Sequence, residues 1–177
     1  LNDAGYTVGT VNIPFTYPPE PLKGFQISGM GTPSETSPLV HPPELRDGLL
    51  KHLGEVQLDL RFIGFMSTDE RRDQVLAEME QMDRQWTKAA LYLLENHPQD
   101  VMMFVFMSID TVQHYFWQHM DPSHFLYDPK ADSRFRNSVR QVYERLAAAT
   151  GRIMEKLPPD TTGFAVSTPG GGPGADR

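Results

Sequence analysis

Asp110 and His114 stand four positions apart, just past an apolar run, in "MMFVFMSIDTVQHYFWQHMD" (residues 102–121). On a helix, a carboxylate and an imidazole at that spacing share one face, one turn apart. Together they form a partial ligand set for zinc or another divalent ion. The spacing also serves a simpler end, in which Asp110 caps the helix and His114 packs against it. By spacing alone the simpler reading is favoured, because Asp-x-x-x-His is a common pattern. His119 is five positions beyond His114, about 140° round the helix. It is expected at the surface or behind a site, not as a ligand. Tyr115, Phe116 and Trp117 could wall a site, although a consecutive aromatic run more often belongs to a core. Gln113 and Tyr127 are weaker candidates for polar contacts. His41, His52, His97 and His124 read as loop or helix-end residues.

The elements around this pair follow from pattern. "VMMFVFMS" (101–108) reads as a fully apolar strand, buried on both faces of a parallel sheet. In open α/β sheets, active groups collect at the carboxyl ends of such strands, and Asp110 follows one. Upstream, Leu1 to Ala4 read as a last helical turn with Gly5 as its stop. "TVGTVNIP" is a short strand ended by Pro14, and Phe25–Ser28 is another. Residues 14–44 are rich in Pro, Gly, Ser and Thr. A long irregular segment of this kind usually covers or borders a site. Within it, "TYPPEP" is a stiff buttress, and "SGMGTPS" lacks the strand-to-helix setting of a phosphate loop.

Next, "PPELRDGLLKHLG" is a short helix closed by Gly54, and "EVQLDL" alternates like an edge strand. Ser67 and Glu70 carry a capping-box signature. The longest helix follows, with Val75, Met79, Met82, Trp86, Ala89, Ala90 and Leu93 on one face. Pro98 ends it. After the "DPSHFLYDP" loop, a second long helix places Phe135, Val139, Val142, Leu146, Ile153 and Leu157 on or near one face. Gly151 is its weak point. A last strand is expected at Thr162–Ser167. Strands alternating with helices predict an α/β fold with a mostly parallel sheet.

Composition narrows the function classes. The chain has 177 residues, enough for one domain with a real core, and a formal charge of −7. An acidic chain without a basic stripe is a poor partner for a nucleic-acid duplex. No run is long and apolar enough for a membrane span. There are no cysteines, which excludes disulfides and thiolate metal sites and fits a reducing, cytoplasmic setting. The chain opens "LNDAGYTVGT" and closes "GFAVSTPGGGPGADR". Both ends read as cuts through a larger protein.

Several pieces occur together, in order, across nearly the whole chain: "VGTVNIPFTYPPEPLKGFQISGMGTPS", "HPPEL", "MSIDTVQHYFWQHMDPSHFLYDP" and "PPDTTGFAVS". In this the chain resembles the alkaline-phosphatase-like hydrolases, and within them the type I phosphodiesterase/nucleotide pyrophosphatase family. The resemblance implies a doubly wound α/β fold, incomplete in this chain, with residues 1–177 part of a single domain. It implies a two-metal site, usually zinc, and a Thr or Ser nucleophile that forms a covalent intermediate on phosphorus. The substrate would be a small-molecule phosphate ester or a nucleotide. Asp110 and His114 would be two ligands of one metal. By the same resemblance, the nucleophile and the first Asp ligand precede residue 1, and a further His ligand lies beyond residue 177. The family's Ser-Asp-His-Gly stretch, whose Asp and His bind the second metal, is replaced here by Ser167, Thr168, Pro169 and Gly170. Thr is a weak ligand and Pro has no side-chain donor, so the metal role is not carried onto them. The segment alone is expected to be inactive, and a non-catalytic relative acting as a binding module is the rival reading.

Overall fold

The computed structural model describes residues 1–54, 56–60 and 68–167. Two compact units make up the chain: Leu1–Ile63 with Gln81–Phe106, and Gly64–Glu80 with Met107–Arg177.

The first unit is built on a four-stranded sheet. Its strands are β1 (Val8–Ile13), β2 (Gly24–Ser28), β3 (Val40–His41) and β4 (Val101–Phe104), in the order β3-β2-β1-β4. β1 runs parallel to both β2 and β4, while β3 is antiparallel to β2. The architecture is therefore α/β with a mixed sheet and flanking helices. The chain enters β1 through a single 3-10 turn, Asn2–Ala4, closed by Gly5 at φ 90 as its sequence predicts. Thr7 and Asp100 then clamp the starts of β1 and β4. The Thr7 N–H and hydroxyl donate to Asp100 Oδ2 at 2.7 and 2.9 Å. These bonds, the backbone one first, hold the Asp100 carboxyl below its usual pKa. Where β1 passes β2, Gly9 lies against the Phe25 ring, and a Cβ there would come within 2.5 Å of it.

α1 (Glu44–Leu53) and α2 (Asp69–Asn96) appear where periodicity places them. Val75, Met79, Met82, Trp86, Ala89, Ala90 and Leu93 are all buried. α1 meets the C-terminal half of α2 through His52, which stacks on Tyr92 with ring centroids 4.8 Å apart. The cap of α2 is Thr68, whose Oγ1 accepts from the Arg71 N–H at 3.3 Å. Ser67, the expected cap, lies outside the described residues. So does Glu55, which opens the stretch read as an edge strand.

Three expectations about strands are corrected. Val56, Gln57, Leu58 and Leu60 are buried, yet they form no strand. The Gln85 side chain from α2 takes the place of a neighbouring strand: its Oε1 accepts from the Gln57 N–H at 2.7 Å, and its Nε2 donates to the Gln57 carbonyl at 3.1 Å. The backbone polar groups are thereby satisfied without a ladder. Second, β4 stops at Phe104 and is not buried on both faces. Among the described residues it is at the edge of the four-stranded sheet, paired with β1, and Met103 is 53% exposed. Third, Thr162–Ser167 is not a strand. Phe164 and Val166 are exposed, and no neighbour among the described residues pairs with the segment, so β propensity alone builds nothing.

The second unit is helical. It holds the start of α2, α3 (Ser108–Met120), a 3-10 turn (Ser133–Asn137) and α4 (Ser138–Met154). The second long helix thus begins later than its pattern implies. Asp132 caps the 3-10 turn, its side chain accepting from the Arg134 N–H at 2.9 Å. Val112 and Phe116 of α3 pack with Phe135, Val139, Val142 and Leu146, all buried. Gly151 sits inside α4 without ending it. No helix among the described residues is long and apolar enough to cross a membrane.

Candidate functional site

Val105, Phe106 and Met107 join β4 to α3, so Asp110 falls in the first turn of the helix. A carboxylate there is favoured by the helix dipole. Asp110 Oδ1 and His114 Nε2 lie 3.4 Å apart, and both side chains face solvent, 51% and 71% exposed. Met107, the residue that precedes α3, offers no side-chain cap. At the surface of α3, His114 lies beside the Asp110 carboxylate one turn back.

The remaining candidates are placed as follows. His119 is not at the surface: it is 7% exposed. Its ring lies 5.9 Å from Phe116 and 5.4 Å from Phe135, and its buried Nε2 has no partner. Burial, then the Arg72 guanidinium, push its pKa below the usual imidazole range, against an opposing pull from Asp69. The reason for the correction is geometric: the face that turns away from His114 is the one that meets Phe135. Phe116 is likewise core. Trp117 donates from Nε1 to Asp121 Oδ2 at 2.9 Å. That bond, after a stronger one from the Ser123 hydroxyl, keeps the Asp121 carboxyl below its usual pKa. Gln113 donates to the Tyr143 hydroxyl. The Tyr127 N–H bonds the His124 carbonyl at 2.9 Å, closing a turn of the loop. Among the described residues, no third His, Asp or Glu joins Asp110 and His114. Thr168, Pro169 and Gly170 lie outside the described residues.

A model of the type I phosphodiesterase / nucleotide pyrophosphatase family matches residues 1–176. The chain belongs to that family. No curated protein and no solved structure matches it. Membership makes this a chain of a hydrolase family and bears out the resemblance carried by its motifs.

Sequence reading missed features at the end of β1. Asn12 and Phe15 both have positive φ, 60 and 59. Composition gives no warning of this at Phe15, because only the hydrogen bonds of the folded segment impose it.

Proposed function

We propose that this chain is the middle portion of a metal-dependent phosphoesterase acting on phosphodiester or pyrophosphate-type bonds. Its substrate would be a small-molecule phosphate ester or a nucleotide. The observation that carries this reading is the convergence of Asp110 and His114 on an accessible face of α3. Their donor atoms are 3.4 Å apart. Oxygen and nitrogen ligands around one tetrahedral zinc ion are separated by about 3.4 Å, given metal–ligand distances near ~2.1 Å. The pair therefore fits one side of such an ion. Asp110 would supply negative charge and His114 a neutral Nε2 lone pair, so affinity should fall on acidification. When bound, the ion would supply charge stabilisation at a phosphoryl oxygen.

In this reading the Thr or Ser nucleophile, the remaining ligands and the strands that make the sheet doubly wound belong to sequence outside residues 1–177. A second zinc would complete the site. Thr168 and Pro169 favour the alternative, a relative that keeps the scaffold and has lost the second metal's ligands.

The test is a calorimetric zinc titration of the full-length protein, with Asp110→Ala and His114→Ala beside it. Loss of one binding event in both variants is expected. Two ions in the unaltered protein would support the active enzyme, and a single ion the non-catalytic relative. Zinc binding indifferent to both substitutions would remove the pair from the site.

A further inference from the structure

Asp110 and His114 do not have the surface of α3 to themselves. Each residue turns a helix by about 100°. Val112, Phe116 and His119 form the buried face of α3. Gln113 follows Val112 round the helix by about 100°, which sets it between that face and Asp110. Asp110 and Gln113 are three positions apart, so they are neighbours on the helix surface, with Cβ atoms about 5–6 Å apart.

α4 supplies a partner for Gln113. It packs on α3 and buries Val139, Val142 and Leu146. Tyr143 follows Val142, so its ring turns out of that face and is 44% exposed. The Gln113 carboxamide donates from Nε2 to the Tyr143 hydroxyl, which joins the two helices at the edge of their contact. Asp110, Gln113, His114 and Tyr143 all belong to the second unit. Placement on one face of α3 therefore brings the tyrosine hydroxyl beside the carboxylate–imidazole pair.

The direction of the Gln113 bond matters. The hydroxyl accepts from the carboxamide, so its own proton remains to be donated. Among the described residues no acceptor takes that proton. Packing does not account for the residue either, because Val139, Val142 and Leu146 already close the contact with α3. A hydrogen bond between exposed groups adds little to stability, since water competes for both partners. What Gln113 does provide is a hydroxyl fixed in advance. A donor fixed in this way stabilises charge without having to reorganise. A phosphate drawn to an ion on Asp110 and His114 would bring its oxygens to this same surface. A bond from a neutral hydroxyl to an anionic oxygen is shorter and stronger than one between neutral groups.

We propose that Tyr143 is a phosphate-binding residue of the Asp110–His114 site, its hydroxyl donating to an anionic phosphoryl oxygen while Gln113 holds it in place. This rests on the metal-dependent phosphoesterase reading above.

The experiment titrates inorganic phosphate into the full-length protein by calorimetry in the presence of zinc. Tyr143→Phe removes the hydroxyl and keeps the ring, and Gln113→Ala removes the group that holds it. A loss of about tenfold in phosphate affinity is expected in Tyr143→Phe, the equivalent of one hydrogen bond to a charged group. Gln113→Ala should show a smaller loss. Zinc affinity measured without phosphate should stay unchanged in Tyr143→Phe, and so should the melting temperature. A residue that only tied α3 to α4 would lower the melting temperature and leave phosphate affinity as it was. Unchanged phosphate affinity in Tyr143→Phe would overturn the proposal. So would an equal loss of zinc affinity, which would assign the hydroxyl to the ion or the scaffold. Asp110→Ala, titrated with zinc, separates the two ideas. Zinc binding that needs Asp110, with phosphate binding indifferent to Tyr143, rejects the tyrosine's role alone. Zinc binding indifferent to Asp110, with phosphate binding that still needs Tyr143, rejects the metal-dependent reading alone.

Discussion

His114 and His119 lie on one helix, and their surroundings are opposite. His114 projects into solvent beside Asp110. His119 is enclosed by Phe116 and Phe135, with its Nε2 buried and unpartnered. Around that core, Arg134 lies over the Phe135 ring, 4.8 Å from its centroid, and pairs with Asp73 at 3.0 Å. The residue type is the same in both places, so type alone says little about role. An exposed imidazole costs the fold almost nothing and is free to take a ligand. A buried imidazole is part of the packing and must stay neutral to remain there.

The largest effect is expected at Phe135. Phe135→Ala removes the ring that closes over His119 and Phe116, and a loss of about 3–5 kcal/mol in unfolding free energy is expected. Urea denaturation measures it. A loss below about 1 kcal/mol would mean that the aromatic enclosure of His119 does not hold the second unit together.

The next effect concerns pH. The folded-state pKa of His119 lies below its ordinary value of 6.5. Above that value both folded and unfolded chains carry a neutral ring, so stability is fully present. As pH falls through it, the unfolded chain takes up a proton first, and stability is lost down to the lowered folded value. His119→Leu should flatten this acid limb while changing stability at pH 8 by less than about 1.5 kcal/mol. Arg72 and Asp69 face the same ring with opposite effects, and Arg134 covers its neighbour, so these charges are kept in the comparison protein. An acid limb that is unchanged in His119→Leu would place the titrating group elsewhere.

The smallest stability effect is expected at the other histidine. Asp110→Ala and His114→Ala should each change unfolding free energy by no more than about 0.5 kcal/mol, as exposed ion pairs contribute little. Their cost should appear in zinc binding instead. A destabilisation of about 2 kcal/mol or more in either variant would mean that the pair is structural.

Periodicity made much of the fold legible. The α2 face from Val75 to Leu93 and the α4 face from Val139 to Ile153 could be read because helical spacing and burial express the same constraint. Strands were harder to read. Val56 to Leu60 has the alternation of a strand, but Gln85 satisfies its backbone from a helix, and no local pattern announces a partner so distant in sequence. Thr162–Ser167 has the composition of a strand and, among the described residues, no neighbour to pair with. At the site, Asp110 and His114 were legible because one helical turn is a local geometry. His119 was misplaced because its environment depends on Phe135, which arrives from another element.

The sequence by itself determined the helices, the first two strands, the spacing that brings Asp110 to His114, and the family. Each of these follows from contacts between near neighbours along the chain or from motifs in order. Tertiary structure alone decided which histidine is buried, that β4 is at the sheet edge among the described residues, that Gln85 serves as a strand's partner and that Phe15 is held exposed in a left-handed backbone. Those outcomes depend on groups far apart in sequence, whose meeting is set by packing and by the need to satisfy every buried backbone group.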